Sequence, residues 1–377
     1  MENKIYFKNL NGLRCIAALI VLISHVPQFI SIIGVSKIFS PIFVSPVNAE
    51  SGVILFFALS GFLITYLLLT EIKLTGTVKV KSFYIRRALR IWPLYFLTIG
   101  LAFFVFPFVN FLVFNGYDAS VIWSRLFLKL FFYCIFLPNM VMDFLGFIPY
   151  AAHSWTIGAE EQFYFVWPVL FKKIKNKSII FAGVIIVYLG IYYLLRYIPY
   201  QNKYIKISFL IWSRYPISCM AIGGLYAWLA FKKTAKAERI KKLLFTPGIQ
   251  ILSLVILLGL IFWGYYFKFF NNEIYATLMG YQVFNLASNP KTLFNLENIL
   301  FNYLGKISYG LYMFHPLAIV CAVKLCLLVN YPRNILVYPL AICIAILLAA
   351  VSYSLFEKYF IRKKINYSAI ISGDNVK

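Results

Sequence analysis

The chain has 377 residues, 62% of them hydrophobic and 13% charged, and its mean hydropathy is +0.82. Soluble domains carry nearer ~25% charged residues, so a water-soluble globular enzyme is excluded and an integral membrane protein is indicated. The formal charge of +24 does not signal nucleic acid, because the basic residues sit in short clusters between apolar runs, as membrane topology demands.

The first apolar run, near residues 10–30, contains both Arg14 and His25. At 3.6 residues per turn their separation of about 11 positions puts both side chains on one helix face, about 16.5 Å apart. An ionisable residue at the centre of a spanning helix costs roughly 2.5–3.5 kcal/mol, so two on one stripe mark an interior polar path. Taken alone, Arg14 is also accommodated by snorkelling to headgroups. The run lacks a small-residue cleavage site and reads as a signal anchor.

Further spans are expected near 52–70, 91–112, 155–171, 179–198, 209–230, 248–266, 274–289, 307–329 and 334–355. Each is close to the ~17–25 residues a bilayer core requires. Gly52 and Gly61, each preceded by serine, permit close helix approach. Basic clusters at 73–90, 172–177, 232–242 and 358–364 belong in the cytoplasm by the positive-inside rule. That parity leaves residues 126–150, interrupted by Pro138 and Pro149, as a re-entrant or interfacial segment rather than a span. The expected fold is an all-α polytopic transmembrane helix bundle of about ten spans, with both termini cytoplasmic. Residues 361–377 read as a short basic tail, and no soluble domain is seen, so the bundle must carry the chemistry.

Ionisable groups inside it are scarce. The three histidines are His25, His153 and His315, and Glu160-Glu161 heads the fourth span. His153 and Glu160 would share one helix face, although the glutamate pair also suits a helix N-terminus. His315 precedes Pro316, which frees a backbone carbonyl that a side chain must satisfy. Arg86, Arg87 and Arg90 form a cluster whose guanidinium forks fit phosphate; plain topology with anionic lipid is the alternative. None of the six cysteines forms a C-x-x-C pair, and the histidines are too scattered in sequence to argue a metal site.

These pieces resemble the acyltransferase-3 family of polytopic membrane acyltransferases. The matching blocks are Gly12-Leu13-Arg14 with ten residues to His25, then Gly52 through Ile64, and then Phe83-Tyr84-Ile85-Arg86-Arg87 with Arg90 and Pro93. Ser154-Trp155 with Glu160-Glu161-Gln162-Phe163-Tyr164 follows, and Ile307-Ser308-Tyr309-Gly310-Leu311-Tyr312 with His315 is last. Cys15 stands where glycine is usual, and Met313-Phe314 replaces a Leu-Trp-like pair.

The resemblance implies transfer of an acyl group, usually acetyl from cytoplasmic acetyl-CoA, to a hydroxyl of a glycan or lipid-linked glycan at a bacterial cell membrane. His25 would be the general base, or a nucleophile carrying the acyl group. Arg14 would hold the donor, and Glu160 would orient or charge-balance a histidine. His153, Glu161, Tyr309 and His315 would support them, with Arg86, Arg87 and Arg90 on the donor phosphates and no metal. Some members carry a fused extracytoplasmic esterase-like domain; none is read here, so the chain is expected to act alone or with a separate partner. The competing reading is a transporter or flippase for a lipid-linked glycan, against which stands the lack of any internal repeat.

Overall fold

The structure is a computed structural model that describes residues 4–36, 48–198, 203–329, 334–368 and 370–372. The extreme termini, expected in the cytoplasm, lie outside the described residues. Three long helices open the bundle: α1 (Leu10–Ile32), α2 (Ala49–Thr75) and α3 (Val80–Phe104). Short helices α4 (Ala119–Trp123), α5 (Leu126–Cys134) and α6 (Pro138–Phe144) lead to α7 (Trp155–Lys173) and α8 (Lys177–Tyr197). Then come α9 (Lys203–Ser213), α10 (Ile217–Phe231), α11 (Ala235–Leu244), α12 (Pro247–Phe262) and α13 (Asn271–Ser288). Last are α14 (Ile299–Lys306), α15 (Ser308–Leu328), α16 (Asn334–Ser352) and α17 (Lys358–Lys363), with a π-helical turn at Tyr353–Glu357.

Most expected spans overlap one helix, but the one expected at 209–230 is divided between α9 and α10, with a break at residues 214–216, and the one expected at 91–112 outruns α3, which ends at Phe104. Six helices are individually long and apolar enough to cross a membrane, or up to seven if α11 and α12, bent by 61° at their junction, form one span. The remainder are shorter or more polar for a physical reason. α7 carries Glu160, Glu161, Lys172 and Lys173, and α10 has only 15 residues. Helices that face protein rather than lipid need not be apolar all round.

Helix α2 is the axis of the bundle: 72% of its most apolar stretch is buried, against 17% for α8. The Asn48 side chain accepts the Glu50 N–H at 3.1 Å to start it, and Gly76, at φ 75°, ends it. Its glycines let neighbours come close. A Cβ on Gly52 would stand 2.8 Å from the Ala17 carbonyl oxygen of α1, and one on Gly61 would collide with the backbone of Met220 in α10. Gly223 of α10 meets Ala58 of α2 in the same way, so small residues here make backbone-to-backbone contact.

Residues 126–150 form no single long helix. Phe136, at φ 59°, breaks α5 from α6, and its ring packs 4.9 Å from Tyr95 and 5.4 Å from Trp92. The segment thus folds back onto α3. The described residues after 360, expected to belong to a short basic tail, meet the rest of the protein. The Tyr367 carbonyl accepts Arg86 Nη1–H at 2.8 Å, and the two-residue strand β2 (Ile371–Ser372) pairs in parallel with β1 (Lys4–Ile5).

Candidate active site

A cavity of about 180 Å³ lies beside α2, touched by its residues from Leu67 at one end to Val53 at the other. Fourteen residues of helix rise give it a length of about 21 Å. Four cations line it: Arg87 of α3 and Lys364 beside Leu67, with Arg14 of α1 and Arg90 of α3. The Arg87 guanidinium is held 5.8 Å from the Phe83 ring and 5.9 Å from the Tyr164 ring, a cation–π seat that fixes a long side chain.

Midway, Glu160 faces the cavity. One carboxylate oxygen accepts the Ser60 hydroxyl at 2.7 Å and the other accepts the Tyr164 hydroxyl at 2.9 Å. Glu160 is therefore tied to two hydroxyls, and not to a histidine as expected. The helical spacing to His153 fails because His153 sits in a 3₁₀ turn, Ala152–Ser154, before α7 begins. Glu161 turns away from the cavity and accepts the Trp92 indole N–H at 3.0 Å.

The arginine cluster divides. Arg87 and Arg90 line the cavity, whereas Arg86, half-buried, makes an ion pair with the buried Glu71 at 2.9 Å. Glu71 also accepts the backbone N–H of Lys79 at 2.9 Å, so Arg86 clamps the α2–α3 turn. Tyr309 lines the cavity and donates its hydroxyl to the Ile91 carbonyl at 2.8 Å.

The inner end is closed by Thr156 and Tyr312, whose hydroxyl oxygens are 2.7 Å apart. Both hydroxyls also reach the His153 carbonyl, Tyr312 at 2.8 Å and Thr156 at 3.3 Å. Just beyond this wall the three histidines converge. The His315 ring centroid is 4.9 Å from that of His25 and 4.9 Å from that of His153. Pro316 has no N–H, which leaves the Tyr312 carbonyl without its helical partner; His315 Nδ1–H donates to that carbonyl at 2.5 Å. His25 Nδ1 is 2.7 Å from the Val21 carbonyl. A carbonyl can only accept, so Nδ1 carries the proton in both rings and each Nε2 keeps a lone pair. His25 is partly exposed while His153 and His315 are buried. Outside the spanning helices, burial and then neighbouring His25 push the pKa of His153 down to about 3. Among the described residues no group of three His, Cys, Asp or Glu side chains could hold a metal ion.

Of the residues expected from sequence, the cavity brings together Arg14, Arg87, Arg90, Glu160 and Tyr309, while His25, His153 and His315 cluster past its end. Sequence reasoning missed Ser60, Thr156, Tyr164, Tyr312 and Lys364 as site residues. A buried carboxylate needs donors, which pointed to hydroxyl residues near Glu160; nothing local pointed to Lys364.

Fold and cavity define a helix-bundle membrane protein with a cation-lined cavity between its helices. Residues 7–354 match the acyltransferase domain of the Acyl_transf_3 family, and the chain belongs to that family. It is 27% identical over 96% of its length to the Staphylococcus aureus (strain COL) protein named "Putative O-acetyltransferase SACOL0978", of which it covers 58%. It is 26% identical over 95% of its length to "O-acetyltransferase OatA" of Staphylococcus aureus (strain NCTC 8325 / PS 47), covering 58% of that protein. With "Peptidoglycan O-acetyltransferase OatA" of Listeria monocytogenes serovar 1/2a (strain ATCC BAA-679 / EGD-e) it shares 23% identity over 82% of the chain and 49% of the relative. The chain thus spans little more than half the length of these curated relatives. No solved structure matches it.

Proposed function

We propose that the protein is a membrane O-acetyltransferase of the bacterial plasma membrane. It takes an acetyl group from acyl-CoA in the cytoplasm and places it on a hydroxyl of a cell-envelope glycan. The observation that carries this reading is the arrangement along the cavity: cations in its lining, and the histidine trio just past the Thr156–Tyr312 wall at its inner end.

Phosphates of the donor would meet Arg14, Arg87, Arg90 and Lys364, where charge-assisted hydrogen bonds are strongest. The thioester arm would lie along α2 past the Ser60–Glu160–Tyr164 group. Glu160 offsets the arginine charge and fixes the hydroxyls along the path. His25, partly exposed on the far side, would meet the acceptor. Its Nε2 lone pair takes the proton of the acceptor hydroxyl as that oxygen attacks the thioester carbonyl carbon. The C–S bond then breaks, the thiolate takes the proton from the imidazolium, and an acetyl ester and free CoA thiol result. For this attack the Tyr312 side chain must swing aside, since it stands between donor cavity and histidines.

The names of the relatives support acetyl as the group and a wall glycan as the acceptor. The donor assignment is tested by calorimetry with acetyl-CoA on the purified protein. Wild type is expected to bind, and Arg87→Ala to bind at least roughly tenfold more weakly, the loss of one charged contact. Equal binding by both would refute the cationic lining as the donor site.

A further inference from the structure

A second cavity, of about 160 Å³, opens at the other end of the bundle from Arg87 and Lys364. Its lining includes Glu50 in the first turn of α2, some 25 Å along that helix from Leu67 of the first cavity. Gly52 packs on Val21 of α1, one turn before His25, so this cavity and His25 share an end.

Two carboxylates, Glu50 and Glu273, and two cations, Arg196 and Lys268, face the cavity. Among the described residues no ion pair joins any two of them. Glu273 accepts the Ser218 hydroxyl at 2.6 Å, and Arg196 Nη1 donates to the Tyr192 hydroxyl at 3.3 Å. Tyr188, only 5% exposed, stacks on Tyr192 at 6.2 Å and 28° to form an aromatic floor. The Tyr193 hydroxyl is fixed by the backbone N–H of Phe270 at 2.7 Å, and Tyr266 stands 63% exposed at the rim.

This mixture selects a ligand chemistry. An anion would meet two carboxylates, and a simple cation would meet Arg196 and Lys268. A neutral polyhydroxylated ring uses everything present: its hydroxyls donate to the carboxylates and accept from the cations, and its C–H face lies on tyrosine. We propose that this cavity holds a saccharide unit and anchors the acceptor glycan at the end of the bundle where His25 is reached. The assignment rests on the transferase reading above and adds to it where the acceptor is gripped.

The test is calorimetric binding of a short N-acetylglucosamine oligosaccharide to the purified full chain, beside glycerophosphoethanolamine as a lipid-headgroup probe. The oligosaccharide is expected to bind, with Arg196→Gln and Tyr266→Ala each weakening it roughly tenfold or more while melting like wild type. Three results overturn the proposal: equal affinity in all three proteins, no saccharide binding, or headgroup binding alone that the variants abolish. Binding needs no turnover, so failures are separable. Saccharide binding without any acetyl transfer removes the transferase reading and spares the site. Transfer to glycan whose acceptor KM is unmoved by Arg196→Gln removes the site and spares the transferase.

Discussion

His25 and His315 lie near opposite ends of the chain, yet their imidazole centroids are 4.9 Å apart. Each ring donates Nδ1–H to the carbonyl of a residue one turn or less before it on its own helix. The two Nε2 atoms are thereby left as the basic positions beyond the Thr156–Tyr312 wall. That pair, with the cations lining the cavity, is the basis of the expectations below.

The wall is expected to limit acyl size. Tyr312→Ala opens the cavity toward the histidines, so propionyl and butyryl donors should gain on acetyl by roughly tenfold or more, as methylene-sized pockets discriminate. Comparison of kcat/KM across the three thioesters checks it; an unchanged ratio would place the size limit elsewhere.

Adjacent arginines should fail differently. Arg86→Gln leaves Glu71 buried without its partner, a loss of about 3–5 kcal/mol, read as a large fall in thermal melting temperature. Adding Glu71→Gln should restore much of it, because both charges are then gone. Arg87→Ala should keep the melting temperature and raise donor KM instead.

Close helix contact is the next target. Gly61→Val forces a side chain into the Met220 backbone, and overpacking of this kind costs about 1–3 kcal/mol. Gly183→Val, where a Cβ meets nothing within 4 Å, should melt like wild type. Equal melting of the two variants would contradict the α2–α10 packing.

Stability should also fall with acid through His153. Its pKa drops from 6.5 to about 3 in the fold, so between those values the unfolded chain binds more protons than the folded one. The contribution is complete above pH ~6.5 and is lost progressively on acidification. His153→Gln should therefore flatten the decline in melting temperature from pH 7 to pH 5, leaving whatever His25 and His315 add. An identical slope would place His153 in contact with water.

Local features were legible in the sequence, and long-range ones were not. The glycines of α2 and the carbonyl freed by Pro316 follow from helix geometry, and the structure uses both; Arg14 lines the cavity, while His25 lies past its wall. The convergence of His25, His153 and His315 depends on how α1, α15 and the turn before α7 meet, which no local period encodes. Arg86 and Arg87 look alike in sequence, but successive helix positions point about 100° apart, so one faces Glu71 and the other the cavity. The His153–Glu160 pairing failed for a similar reason: helical spacing was extended across a 3₁₀ turn where it does not hold. Lys364 reads from sequence as part of a tail, because its return to the cavity rests on tertiary contacts.

The central claim is that His25 is the base serving a donor on one side and an acceptor hydroxyl on the other. The direct measurement uses vesicles of reconstituted protein, acetyl-CoA labelled in the acetyl group and a soluble wall-glycan acceptor, with protein amounts matched. Labelled ester should form with wild type and fall by about 10²–10⁴-fold in His25→Ala, while acetyl-CoA binding persists. Wild-type ester formation by His25→Ala would contradict the account.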